Sequence, residues 1–262
     1  MPLLSVITAT YNSLRFFDDT KRSVLESEIS DLEWIIVDDG STDGTRKVLK
    51  NLTDPRIKLH LKDHNTGIGD AYKIGVSLAS GQFLLILDHD DTIPYGSLIK
   101  RIESLDQEPS SNVAFGMVSY MNEDGVIYKQ PSFPFTYHSG TLSSLRVLLS
   151  VFISPSYPLK QGCVILRTDF VKTHLGIYDI ELFLKAVASG PVMFVNESCL
   201  NYRTFRSQYS SSRKKRVMTF LHLYWARYSL KYLPKALSPF FSVYKTLVEL
   251  AKVLWCFLSP RR

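Results

Sequence analysis

Strand-like runs alternate with helix-like stretches through the first hundred residues, and this alternation leaves the chain few possible folds. The runs are Leu4–Ala9, Trp34–Val37, Ile57–Leu61 and Phe83–Leu87; between them lie Asp18–Glu26, Thr45–Leu52 and Gly69–Ala79. A strand–helix repeat of this kind predicts an α/β fold, a mostly parallel sheet covered by helices on both faces. Phe83-Leu84-Leu85-Ile86-Leu87 has no polar residue, as expected of a strand buried on both sides. Turn chemistry falls between the elements, at Asn12-Ser13, Asp39-Gly40-Ser41 and Asn65-Thr66-Gly67.

The Phe83–Leu87 run ends in Asp88-His89-Asp90-Asp91. Open α/β sheets bind ligands beyond the carboxyl ends of their strands. Three carboxylates crowded there repel one another unless a cation lies between them. Oxygen ligands of this type suit Mg²⁺ or Mn²⁺, and an ion with open positions can seat a diphosphate. A helix N-cap with an acidic first turn accounts for one of these Asp residues and poorly for three.

Regularity fades after Asp91. Val113–Met121 and Val126–Tyr128 read as a hairpin across Asn122-Glu123-Asp124-Gly125. Pro131–His138 reads as irregular, Ser143–Val151 as a helix and Cys163–Leu166 as a short strand. A helix opens at Thr168 or Asp169, and Asp179–Ala188 is an amphipathic helix closed by Gly190. The three cysteines are far apart, with no metal-finger spacing, and their odd count argues against a disulfide framework. A reducing, cytoplasmic setting follows from that usage. The chain opens directly into an apolar strand with no basic n-region, which is not the pattern of a signal peptide.

The net charge of +6 is unevenly spread. Residues 201–262 hold thirteen Lys or Arg and one acid, Glu249, a balance of +12; the remainder has 18 bases against 24 acids, a balance of −6. Such asymmetry suggests an anionic partner surface. A basic cluster, Arg213-Lys214-Lys215-Arg216, marks a boundary, giving a domain over 1–208 and a helical tail over 209–262. Within the tail, 240–258 would form a helix about 28 Å long. Lys245, Glu249, Lys252 and Cys256 make one polar stripe on it, which suits a helix lying in a membrane interface better than one spanning the bilayer. Packing on the domain or on a partner subunit is the alternative. The broad apolar faces do not resemble the interleaved stacking platform of a nucleic-acid binder.

Four motifs in fixed order carry a family resemblance. They are Val6-Ile7-Thr8-Ala9-Thr10-Tyr11-Asn12, Ile36-Val37-Asp38-Asp39-Gly40-Ser41-Thr42-Asp43, Gly67-Ile68-Gly69-Asp70-Ala71-Tyr72-Lys73-Ile74-Gly75 and Leu87-Asp88-His89-Asp90-Asp91. Together they resemble the inverting family 2 glycosyltransferases of GT-A fold, a Rossmann-like architecture, over residues 3–205. The resemblance implies an enzyme that moves a sugar from a nucleotide-diphosphate donor, by family habit a UDP-sugar, to a saccharide acceptor. A bacterial surface glycan on a lipid carrier, at the inner face of the membrane, would give the tail a purpose. A polyprenyl-phosphate sugar synthase and a degenerate, non-catalytic scaffold subunit remain alternatives.

The resemblance also implies site roles. Thr10, Tyr11 and Asn12 would line the base and ribose pocket, and Asp39 would accept the N–H of the base. Asp90 would ligate Mn²⁺ or Mg²⁺, with Asp88 on the ribose, the metal or its bound water, and Asp91 either behind the ligands or in contact with the sugar. Asp70 is kept in the third motif; Lys73, where Asn is usual, either faces the diphosphate or is solvated. Lys160-Gln161-Gly162 stands where the subgroup has His-Gln-Gly, so its His is lost. Tyr178-Asp179-Ile180-Glu181-Leu182 is similar to the segment that supplies the general base, a carboxylate that deprotonates the acceptor hydroxyl. Asp179 takes that place by spacing, with Glu181 as the alternative. Asn201-Tyr202-Arg203 and Arg206 resemble a segment that binds the diphosphate, with Phe205 in place of its His; either Arg could also anchor a loop.

Overall fold

The computed structural model describes residues 1–129, 138–153, 160–174 and 180–205, together with 231, 232, 235, 237, 239 and 243. The strand–helix alternation read from the sequence is present: β1 (Leu4–Thr10), α1 (Phe17–Leu25), β2 (Leu32–Asp38), α2 (Thr45–Lys50), β3 (Ile57–Leu61), α3 (Ile68–Leu78) and β4 (Phe83–Ile86). There follow α4 (Ser97–Gln107), β5 (Val113–Met121), β6 (Ile127–Lys129), β7 (Gly140–Leu142), α5 (Ser144–Ile153), β8 (Val164–Arg167), α6 (Thr168–Lys172), α7 (Ile180–Ala188) and β9 (Val192–Arg203).

One sheet runs β3-β2-β1-β4-β8-β5-β9-β7, with β6 paired to β5 off this path. The pairs β1·β2, β1·β4, β2·β3 and β5·β9 are parallel, while β8 lies antiparallel between β4 and β5. Every residue of β1, β2 and β4 is buried, as strands covered on both faces must be. β3 is the edge beside β2 and alternates half-buried with exposed residues, the pattern of a strand with one wet face.

α3 packs on β1 and β2, and the approach is close. A Cβ on Gly75 would fall 2.4 Å from Ile7 Cγ2, so only glycine lets this helix lie so near the sheet. Trp34 is fully buried in β2, stacks on Phe17 of α1 at 5.6 Å, and donates its indole N–H to Thr8 Oγ1 at 3.0 Å. That bond satisfies the one polar atom of the side chain in an otherwise apolar place.

Three elements, α4, β9 and the short β7, are not predicted by the sequence pattern. α4 follows Pro94-Tyr95-Gly96 and has no side-chain cap of its own. Glu28, from the turn after α1, caps it instead, accepting from the amides of Gly96, Leu98 and Ile99 at 2.8–2.9 Å. β9 is twelve residues long but interrupted by exposed Asn196 and Glu197, where its register against β5 shifts. The hairpin at 122–125 forms as its Asp-Gly pair predicts, with the Gly125 amide on Asn122 O and the Val126 amide on Asn122 Oδ1. Residues 131–137, Asp179, Arg206 and the tail's polar stripe lie outside the described residues. Among the described residues no helix is long and apolar enough to cross a membrane.

Candidate functional site

The carboxyl ends of β1, β2 and β4 are adjacent, so three of the four motifs meet at one edge of the sheet. After β1, Thr10 is buried and donates from Oγ1 to Asp38 Oδ1 at 3.1 Å. Its hydroxyl is therefore engaged in satisfying a buried carboxylate at the mouth of the two loops. Tyr11 is 46 % exposed, its ring open to a ligand. Asn12 takes a positive φ of 50°, and its side-chain oxygen accepts from the Thr42 amide at 2.9 Å while its own amide donates to Ser41 Oγ. The β1 and β2 loops are thereby tied together.

Asp38 and Asp39 divide their labour. Asp38 is fully buried and organises its own turn, accepting from the Ser41 amide and hydroxyl, with Arg46 Nε 3.4 Å away. Asp39 faces the loop before α3. Its Oδ1 accepts from Lys62 Nζ at 2.5 Å and the Thr66 amide at 3.0 Å, and its Oδ2 accepts from the Gly67 amide at 2.8 Å. Burial alone would raise the Asp39 carboxyl, but these donors outweigh it and hold it below the usual range. Lys62 also pairs with Asp70 at 2.7 Å, and Asp70 accepts from the Thr66 hydroxyl. Gly40 permits this closure: at φ +77°, a Cβ there would lie 2.7 Å from the Asn65 amide. Lys73 projects into solvent from α3.

The acidic cluster lies beyond β4. Asp88, Asp90 and Asp91 each offer an oxygen within 4.8 Å of the others, the one such group of His, Cys, Asp or Glu among the described residues. Asp90 and Asp91 are buried and Asp88 is partly open. Burial, then the charge of Asp90 and of Asp88, pushes the Asp91 carboxyl well above the usual range. Asp90 is also raised, mainly by burial, with His89 opposing and Asp88 adding. Two buried carboxylates so disfavoured as anions, with Asp88 beside them, make a donor set that a hard divalent cation would relieve. His89 Nδ1 lies 3.7 Å from Asp90 Oδ1.

The loop carrying these acids is braced from behind. Thr20 Oγ1 of α1 lies 2.8 Å from the carbonyls of both His89 and Asp91. Arg203, at the end of β9, is 1 % exposed. Its amide donates to Asp91 Oδ1 and its Nε to the Asp90 carbonyl; its terminal nitrogens reach the Asn122 and Glu123 carbonyls and the Asp19 carboxylate. The guanidinium also lies over the Phe16 ring at 4.6 Å. These donors are turned inward onto protein, the loop-anchoring arrangement that the sequence allowed as the alternative. Phe205, where the family has His, packs on Phe16 at 5.2 Å.

Beside this loop, Lys160 holds its ammonium 4.4 Å over the Tyr202 ring, and its charge is felt at Asp91. Gln161 opens a 3₁₀ turn, Gln161–Cys163, which buried Arg101 fastens by donating to the Gly162 carbonyl at 3.1 Å. Glu181, in the first turn of α7, pairs with Lys231 at 2.7 Å. Sequence reasoning missed Lys62, Thr20 and the role of Tyr72, whose hydroxyl donates to Asp88 Oδ1 at 2.6 Å. Tyr72 stands within the third motif, which carries no signal for this contact.

These features define an α/β domain with its ligand site beyond the carboxyl ends of β1, β2 and β4. The sequence model of glycosyl transferase family 2 matches residues 5–160, and the chain belongs to that family. TuaG of Bacillus subtilis (strain 168), named for teichuronic acid biosynthesis, is 30 % identical over 222 residues, which is 82 % of this chain and 84 % of that protein. The GalNAc(5)-diNAcBac-PP-undecaprenol β-1,3-glucosyltransferase of Campylobacter jejuni is 38 % identical over 101 residues, 37 % of this chain and 33 % of that one. Among solved structures, S. aureus TarS 1–349 in complex with UDP-GlcNAc superposes with a TM-score of 0.72 at 21 % identity, covering 96 % of this chain and 73 % of that one. That likeness establishes the GT-A fold.

Proposed function

We propose that this glycosyltransferase moves a sugar, with inversion and with a divalent metal, from a UDP-sugar to a saccharide acceptor held on a lipid carrier in surface-polysaccharide synthesis. The observation that carries the reading is the convergence of Asp88, Asp90 and Asp91 beyond β4, at the same end of the sheet as the Asp39 loop and one strand removed from it. The relatives' names support the pathway, and the UDP-GlcNAc bound to TarS supports the donor class.

In this reading Tyr11 and Asn12 contact the base and ribose, and the remaining lone pair of Asp39 Oδ2 accepts the imide N–H. Mn²⁺ or Mg²⁺ would be held by Asp90 with Asp88, and would stabilise the departing diphosphate as a Lewis acid. Asp91 keeps the loop closed on Arg203 and borders the sugar. Lys73 and Gln161 are placed in sequence to meet the phosphates and the sugar. Asp179 takes the acceptor proton as the hydroxyl attacks the anomeric carbon from the face opposite the leaving UDP. The pairing of Glu181 with Lys231 favours Asp179 over Glu181 for that task. Residues 1–208 form the catalytic domain, and the basic tail from 209 onward rests on an anionic membrane surface.

The test is a thermal-shift titration with UDP, GDP and dTDP, each with and without Mn²⁺, on wild type and Asp90→Ala. A ligand that binds only the folded state stabilises it, by about 2.7 kcal/mol at a hundred times its Kd. A Mn²⁺-dependent shift with UDP that disappears in Asp90→Ala is the expected result. No shift with any nucleotide, from folded protein, would remove the donor site and leave a non-catalytic family member.

A further inference from the structure

Tyr72 is buried in the second turn of α3, with 3 % of its surface exposed, yet its hydroxyl emerges at the acidic cluster. The contact with Asp88 Oδ1 is 2.6 Å, the length of a charge-assisted O–H···O⁻ bond. A phenol is the donor here, so it occupies one oxygen of Asp88 and fixes the rotation of the carboxylate. Asp88 is thereby held in the cluster that it forms with Asp90 and Asp91. The helix that delivers Tyr72 is itself pinned at its start. Thr66 and Gly67, immediately before α3, donate their amides to Asp39, and Asp70 in its first turn pairs with Lys62. One short helix therefore touches the Asp39 loop at its first turn and the acidic cluster at its second.

The geometry points to Tyr72 as a positioning residue for the metal site, acting through Asp88, with α3 as a rigid spacer between the nucleoside end and the diphosphate end of the donor site. This rests on the metal reading proposed above. Outer groups that orient a metal-ligating side chain commonly change metal affinity about 10–100-fold when removed. The inward ring of Tyr72 is kept in Tyr72→Phe, so only the hydroxyl is lost.

The experiment is Mn²⁺ binding with UDP present, read from the free Mn²⁺ signal in electron paramagnetic resonance, for wild type and Tyr72→Phe. UDP affinity without metal and the circular-dichroism melt are measured on the same samples. The expected result is Mn²⁺ binding weakened at least tenfold in Tyr72→Phe, with metal-free UDP affinity and fold unchanged. Equal Mn²⁺ affinity in the two proteins overturns the role of Tyr72 and leaves the metal reading intact. A parallel fall in metal-free UDP affinity overturns it too, in favour of a general structural role. Absence of Mn²⁺ binding in wild type removes the metal site itself, and the role with it.

Discussion

At the scale of single residues, this site places charges where burial opposes them and then supplies reasons for them to stay. Asp39 retains its charge because three donors converge on it, whereas Asp90 and Asp91 are pushed the other way by burial and by one another. The base assignment is tested at this scale. Removing a positioned general base lowers turnover typically by 10²–10⁴. Asp179→Asn is expected to lose that much kcat while keeping nucleotide affinity, and Glu181→Gln to retain most of it. The comparison is made with steady-state rates and UDP binding on both proteins; the reverse pattern would move the base to Glu181. Tyr72, Lys62 and Thr20 could not be read as site residues because each acts through a partner distant in sequence, Asp88, Asp39 and the His89–Asp91 carbonyls.

At the scale of elements, the parallel half of the sheet was legible because its strands are apolar throughout and its turns carry Asn, Asp and Gly. α4 and β9 were not, for two different reasons. α4 takes its cap from Glu28, some seventy residues earlier; its own N-cap is Gly96, and the Ser97 that opens it makes no cap bond. β9 is broken by exposed Asn196 and Glu197 at a register shift, which hides its length. The Glu28 cap yields a prediction. Loss of a helix cap typically costs about 1 kcal/mol and reaches about 2, which for a domain of this size lowers Tm by roughly 2–8 °C. Glu28→Ala is expected to show such a loss by calorimetry, with Mn²⁺-dependent UDP binding preserved. A Tm within 1 °C of wild type would mean that water replaces the carboxylate at these amides at almost no cost.

At the scale of the whole molecule, the end of the sheet opposite the site is held by Glu33. This buried carboxylate accepts from Ser5 Oγ at 2.6 Å and the Ser80 amide at 2.6 Å, and pairs with Lys58 at 2.5 Å, joining β1, β2, β3 and the turn before β4. Burial would raise its carboxyl, but the Lys58, Ser5 and Ser80 bonds outweigh that and lower it to about 2. Because the folded value lies below the ordinary Glu value, the stabilisation is complete above about pH 4.5 and disappears as pH falls to about 2. Its size is up to about 3 kcal/mol, less with salt because Lys58 is half-exposed. Urea denaturation between pH 6 and pH 2.5 is expected to lose stability more steeply in wild type than in Glu33→Gln; equal slopes would show that other acids govern the acid limb.

The sequence by itself determined the α/β class, the order of its first seven elements, the acidic cluster at a strand end and the family. Those features are local: apolar runs, turn residues and short motifs are written within a few positions of one another. Only the tertiary structure decided that Thr10 supports a buried carboxylate, that Arg203 braces the Asp90–Asp91 loop from within, and that Tyr72 reaches Asp88. Each of these depends on which side chains find one another across the sheet, and a buried polar group takes whatever partner the fold brings within hydrogen-bond distance.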